Sequence, residues 1–148
     1  MAAKELLVNP ILKFYMNLGI VHCIPVDRSK PGIQFFKDTI NVLKNNKILV
    51  VFPEGTRTIN GEMQSWKPAF IMLARYANSP IIPTAVNGTF KILPKGERIP
   101  RLKKCIIKFG KLQKFNFNRK LKREDMVNLA NVIRSEVSNL LNKSRETR

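Results

Sequence analysis

Acidic residues are scarce in this chain: 10 Asp and Glu stand against 27 Lys and Arg, a formal net charge of +17. An imbalance of that size points to an acidic partner, whether anionic lipid, nucleic acid, or a phosphorylated substrate or coenzyme. Cysteine is nearly missing. Cys23 and Cys105 each sit in an apolar, strand-like segment with no partner at metal-ligand spacing, so both are expected as reduced, buried core residues of a cytosolic protein and no metal site is expected. Long apolar runs are lacking too, as is the charged-then-apolar opening of a signal peptide, so the chain is not expected to span a bilayer. Internal repeats, low-complexity linkers, zinc spacing and a GxxxxGK[ST] loop are absent, which sets aside repeat folds and a nucleotide P-loop.

What remains reads as one globular domain over residues 1–148, since 148 residues with 44% hydrophobic and 25% charged content can bury a real core. Its organising stretch is Lys47-Ile48-Leu49-Val50-Val51-Phe52-Pro53-Glu54-Gly55-Thr56-Arg57-Thr58. The apolar run predicts a buried strand, stopped by Pro53 and Gly55 so that a tight turn follows. Gly55 admits backbone conformations closed to other residues, Thr56 adds a hydroxyl and an N–H, and Arg57 brings a planar fork of donors matched to phosphate or carboxylate. The turn is composed to hold an anion.

Elsewhere the chain alternates short helices and strands. Val8, Ile11, Leu12, Tyr15 and Leu18 predict an amphipathic helix ending at Gly19; Ile20 to Val26 predicts a strand closed by Asp27-Arg28 and Pro31-Gly32. Ile33, Phe36, Ile40 and Leu43 mark one face of a helix over 33–46. After an Asn60-Gly61 turn, Trp66-Lys67-Pro68 opens a helix whose buried face is predicted at Ala69, Met72, Leu73 and Tyr76. Ile81 to Val86 and Lys103 to Phe109 are predicted strands, with Pro83 implying a bulge or an edge. Met126, Leu129, Ala130, Ile133, Val137, Leu140 and Leu141 give a final helix over 121–142, beyond which a charged tail is expected to fray. Strands separated by helical crossovers predict an α/β fold with a mostly parallel sheet flanked by helices, its site at the carboxyl end of the anchor strand.

At the turn the chain also becomes recognisable. Phe52-Pro53-Glu54-Gly55-Thr56-Arg57 is identical to the FPEGTR signature of the glycerolipid acyltransferases, and three flanking features agree in order. Gly19-Ile20-Val21 leading to Val26-Asp27-Arg28 resembles the family's Asp-Arg block. Ile81-Ile82-Pro83-Thr84-Ala85-Val86 resembles its later strand, and Ala3-Lys4-Glu5-Leu6 resembles the segment after its catalytic loop. The likeness covers about residues 1–110. It implies a glycerol-3-phosphate acyltransferase-like fold and transfer of a fatty acyl group from acyl-CoA or acyl carrier protein to the free hydroxyl of a lysophospholipid, lysophosphatidic acid becoming phosphatidic acid. No bound cofactor is implied. Glu54, Gly55, Thr56 and Arg57 would hold the acceptor phosphate, joined by Arg28 and with Lys67 as a further candidate; where the family has Lys-x-Gly-Ala, this chain has Lys67-Pro68-Ala69-Phe70, a methyl in place of a glycine.

In the family a histidine takes the acceptor's hydroxyl proton and an aspartate orients that histidine, on a loop before the Lys-Glu-Leu segment. No such pair precedes Lys4 here, so an N-terminal truncation, a split gene product or a late-assigned start is expected, and little turnover by the chain alone. His22 and Asp27 match the His-x4-Asp spacing only: in an extended strand they would point to opposite faces about 16 Å apart, so His22 reads as a strand residue. From Lys95 to Arg123, twelve Lys or Arg face one acid, Glu97. That stretch suits an anionic membrane surface, consistent with a cytoplasmic protein peripheral on the inner face of the cell membrane. The alternatives are a non-catalytic phospholipid-binding module and a basic nucleic-acid-binding protein; Phe109, Phe115 and Phe117 are the only hint of the latter, and nucleic acid is disfavoured as a partner.

Overall fold

A computed structural model describes residues 2–3, 24–26, 32–97, 99–117 and 121–146. The chain divides into two compact units, Met1–Phe52 and Pro53–Arg148. In the first, β1 (Ala2–Ala3) pairs in parallel with β2 (Pro25–Val26), Ala2 opposite Pro25. Helix α1 spans Ile33–Lys44 and ends where Asn45 caps it and Asn46 turns to φ 57°, two residues short of the predicted end. Its predicted face needs turning: Ile33 is exposed, and Thr39 is the residue fully buried, its hydroxyl donating to Phe35 O at 2.7 Å. A threonine can occupy an apolar face when its own helix satisfies the hydroxyl. The helix predicted over 8–18 and Cys23 lie outside the described residues.

The Lys47–Phe52 run belongs to neither described sheet, and its expected burial is corrected. Ile48 (91% exposed), Val50 and Phe52 are exposed while Leu49 and Val51 are half-buried. Period-two exposure is that of extended chain with one covered face, whereas a strand buried on both faces would hide every residue.

The second unit carries a clear core. Helix α2 (Ala69–Ala77) starts after Pro68, which suits a first turn, and ends on Asn78 in the left-handed region at φ 48°. It buries Ile71, Leu73 and Ala74, not the predicted Ala69 and Tyr76, both exposed. The segment is apolar nearly all round, so spacing alone does not set its phase.

Strand β3 (Thr84–Asn87) is antiparallel to β4 (Ile106–Phe109), with Thr84 opposite Phe109 and Asn87 opposite Ile106. Of the two described pairings one is therefore parallel and one antiparallel, so the described sheets are small and not mostly parallel. An isolated bridge joins Ile81 to Gln113, so the three steps from Ile81 to Thr84 face four from Phe109 to Gln113. That extra residue is a bulge in the 110–112 stretch, beside Pro83, whose carbonyl accepts Gly110 N–H at 2.8 Å.

One turn of helix, α3 (Thr89–Ile92), follows Gly88. Helix α4 (Arg123–Glu146) packs on β3, β4 and α2. Ile71, Ala130 and Ile133 form its buried centre, with Trp66, Phe70, Phe115, Phe117 and Met126 packed around them. Glu124 and Asp125 at its start and Lys143 and Arg145 at its end oppose the helix dipole favourably. The helix outruns its predicted end at 142 because Ser144 is buried against the sheet: Asn87 Nδ2 donates to Ser144 Oγ at 2.9 Å, and Ser144 Oγ donates to Leu141 O. Cys105 is exposed, against the buried position expected.

Candidate functional site

Pro53 to Arg57 form a turn whose backbone needs one left-handed residue, and Gly55 takes it at φ 69°. Two hydrogen bonds clamp this turn to the segment that leads into α2. Lys67 N–H donates to Pro53 O at 2.9 Å, and Gln64 N–H donates to Glu54 Oε2 at 3.1 Å. A third bond comes from α4, where Arg134 Nε donates to Gln64 O at 3.3 Å. Glu54 is thus a strut, its carboxylate spent on a backbone amide, and among the described residues it makes no ion pair with Arg57. Its half-buried position agrees with a structural part.

The charged donors are left facing outward. Arg57 and Thr56 are exposed, and the Thr56 hydroxyl lies 3.5 Å from Arg57 O, too far to be held by it. The Lys67 stem lies against Gly55: a Cβ built on Gly55 would sit 3.6 Å from both Lys67 Cε and Nζ. The absence of that Cβ leaves the ammonium beside bare backbone. Sequence reasoning named Gly55, Arg57 and Lys67 separately; the fold brings Lys67 onto Gly55. Ala69, the methyl that stands where the family has glycine, is exposed in the first turn of α2 and does not press on the packed face.

Beyond the motif, Thr58, Asn60 and Glu62 close a polar turn. Asn60 Oδ1 accepts Glu62 N–H at 3.1 Å, and Thr58 Oγ1 accepts Gly61 N–H at 3.0 Å. The Phe90 ring of α3 lies so close that a Cβ on Gly61 would meet it at 3.1 Å, which joins the motif's loop to α3. Trp66, the single tryptophan, packs edge-on to Phe70 at 5.8 Å, its buried Nε1 without a hydrogen-bond partner among the described residues.

Arg28, His22 and Asp27 lie outside the described residues. Gln64 and Arg134 were missed from sequence. A glutamine acting through its backbone leaves no side-chain signal, and Arg134 reads as one polar position on an amphipathic helix. Among the described residues no group of three or more His, Cys, Asp or Glu could hold a metal ion, and no helix is long and apolar enough to cross a membrane.

A glycine turn clamped from behind, with exposed Arg57 and Lys67 beside it, has the donor chemistry that an anion site needs. The sequence profile of the Acyltransferase family matches residues 1–87, more than half the chain, and the chain belongs to that family. Over 98 residues it is 37% identical to 1-acyl-sn-glycerol-3-phosphate acyltransferase of Limnanthes douglasii, covering 64% of this chain and 34% of that protein. The enzyme of the same name from Bacillus subtilis (strain 168) is 35% identical over 88 residues, 60% of this chain and 42% of its own length. In fold the chain matches the crystal structure of the 1-acyl-sn-glycerophosphate (LPA) acyltransferase PlsC from Thermotoga maritima, with a TM-score of 0.69 at 23% identity, over 95% of this chain and 54% of that one. The chain therefore spans about a third to two fifths of the length of these curated relatives.

Proposed function

We propose that this chain carries the acceptor-holding part of a 1-acylglycerol-3-phosphate O-acyltransferase, gripping the phosphate of lysophosphatidic acid while an acyl group arrives from acyl-CoA or acyl carrier protein. The observation that carries this reading is the clamped turn at Glu54-Gly55-Thr56-Arg57 with Lys67 laid on Gly55. A phosphate monoester carries close to two negative charges and several acceptor oxygens. Arg57 supplies a bidentate fork, Lys67 a compact charge, and the turn its free N–H groups. Glu54, held by Gln64, fixes the turn in place without drawing Arg57 away from the phosphate. Arg28 is assigned to the same phosphate by the resemblance of Val26-Asp27-Arg28 to the family's block.

Holding the acceptor orients its free hydroxyl toward the thioester carbonyl. The chemical step is attack of that oxygen on the carbonyl carbon, loss of the hydroxyl proton to a base, and departure of the thiolate, which takes up a proton. A histidine oriented by an aspartate supplies the base in the resemblance, ahead of Lys4-Glu5-Leu6. His22 and Asp27 meet its spacing alone and are not assigned that role.

The test is acyl-CoA-dependent thiol release with lysophosphatidic acid, on this chain, on Arg57→Ala and His22→Ala, and on a form extended upstream to any in-frame Asn-His-x-Ser-x-x-Asp. Turnover in the extended form alone, lost with Arg57→Ala, is the expected result. Turnover of the short chain that disappears with His22→Ala would make His22 and Asp27 the dyad. Binding of lysophosphatidic acid without turnover in any form would leave a phospholipid-binding module.

A further inference from the structure

We propose that the loop between α3 and β4 is a docking tip for an anionic phospholipid bilayer, rooted on the helical turn that touches the loop after the motif, so that an acceptor lipid reaches the Gly55 turn from the membrane. The acceptor's route rests on the function proposed above; the docking does not. Two aliphatic side chains on this loop are fully or nearly fully in solvent, Leu102 and Ile99, the latter 80% exposed. The loop's own bonds hold them out. Arg101 N–H donates to Ile92 O at 2.8 Å, Glu97 N–H donates to Pro94 O at 3.2 Å, and Arg101 pairs with Glu97 at 2.5 Å.

Around these two side chains the exposed charges are almost all of one sign. Lys95, Lys103 and Lys104 are exposed with Arg101, and Glu97, the one acid from Lys95 to Phe117, is already engaged by Arg101. Aliphatic tips ringed by lysines match a bilayer surface on both counts, since acyl chains accept the apolar groups and anionic headgroups the cations. A single-stranded nucleic acid would want aromatic platforms. Phe115 and Phe117 are committed to packing on the core, and the tip itself offers only Ile and Leu. The tip is rooted on α3, whose Phe90 ring lies against Gly61 in the loop that follows the motif. The tip and the loop that follows the motif therefore meet at Phe90.

The experiment is co-sedimentation of the 148-residue chain with vesicles of phosphatidylcholine, with and without phosphatidylglycerol and containing no lysophosphatidic acid, at low and raised salt. Expected is binding about tenfold or more tighter with phosphatidylglycerol. Ile99→Ser/Leu102→Ser should weaken it about tenfold at both salts, and Lys103→Ser/Lys104→Ser about tenfold at low salt but far less at high salt. These residues are exposed, so an unchanged helical circular dichroism signal from the variants is expected. Equal partition onto both vesicles, parental partition of either double variant, loss with Phe109→Ser alone, or displacement by RNA would each overturn the tip. So would lipid-free self-association that Ile99→Ser/Leu102→Ser abolishes, since the occupant would then be a second copy. Binding of short-chain lysophosphatidic acid in free solution, read by Trp66 fluorescence, separates the two readings. Docking without that binding sinks the acceptor site and keeps the tip; binding without docking does the reverse.

Discussion

Gly55 shapes the turn and Arg57 charges it, and substitution can separate the two. Arg57 is exposed and makes no ion pair among the described residues, so Arg57→Ala removes donors without opening the core. Lysophosphatidic acid affinity is expected to fall about ten- to a hundredfold, the worth of a charge-assisted bond or two, with the melting temperature unchanged. Titration by Trp66 fluorescence beside a thermal melt checks both halves. Gly55→Ala acts the other way. Its Cβ would find ordinary contact with Lys67, so its cost is the left-handed backbone at φ 69°, about 1–2 kcal/mol. Gly88 is a sharper case: at φ 105° its Cβ would lie 2.3 Å from Lys104 O, a backbone atom that cannot step aside. Urea denaturation should therefore rank Gly88→Ala well below Gly55→Ala in stability, with a loss of about 3 kcal/mol or more.

At the scale of elements, α4 reaches the site through one side chain. Arg134 donates to Gln64 O, and the same residue's N–H holds Glu54, so the helix steadies the motif at one remove. Arg134→Met keeps the aliphatic packing and loses the bond. It is expected to cost roughly 1 kcal/mol and to speed hydrogen exchange of the Gln64 amide, while Lys67, bonded to Pro53 O, keeps its protection. Site-resolved exchange that leaves Gln64 unchanged would remove α4 from the support of the turn. This contact joins residues 70 positions apart, which is why no local pattern announced it. Helices α1 and α4 were legible because their apolar spacing is a property of each segment alone; Ala130, Ile133 and Val137 stand where the stripe put them. The phase of α2 was hidden by a segment too uniformly apolar to choose a face. Strand direction was hidden because pairing Thr84 with Phe109 is settled by distant partners, and the bulge beside Pro83 falls in the partner strand, between Phe109 and Gln113. The motif itself was fully legible, but the laying of Lys67 on Gly55 depended on a clamp between Pro53 O and Lys67 N–H that only the fold supplies.

Over the whole molecule, 27 cations against 10 acids mean that the native state repels itself, and salt should relieve this. The melting temperature is expected to rise with sodium chloride as screening shortens the reach of like charges below about 10 Å. That general effect gives a baseline against which a built anion site can be seen. At matched ionic strength, inorganic phosphate should stabilise further than chloride, because the proposed site exists only in the folded turn and is lost in the unfolded chain. With phosphate about tenfold above its dissociation constant the extra stabilisation is about 1.4 kcal/mol, an upward shift of roughly 4–5 °C for a chain of this size. In Arg57→Ala/Lys67→Ala the chloride response should persist, since 25 of the 27 cations are untouched, while the phosphate increment disappears. Equal responses to the two salts in the parent chain would mean that its charge acts only as a diffuse field, and that the clamped turn at Gly55 is a structural corner with no hold on phosphate.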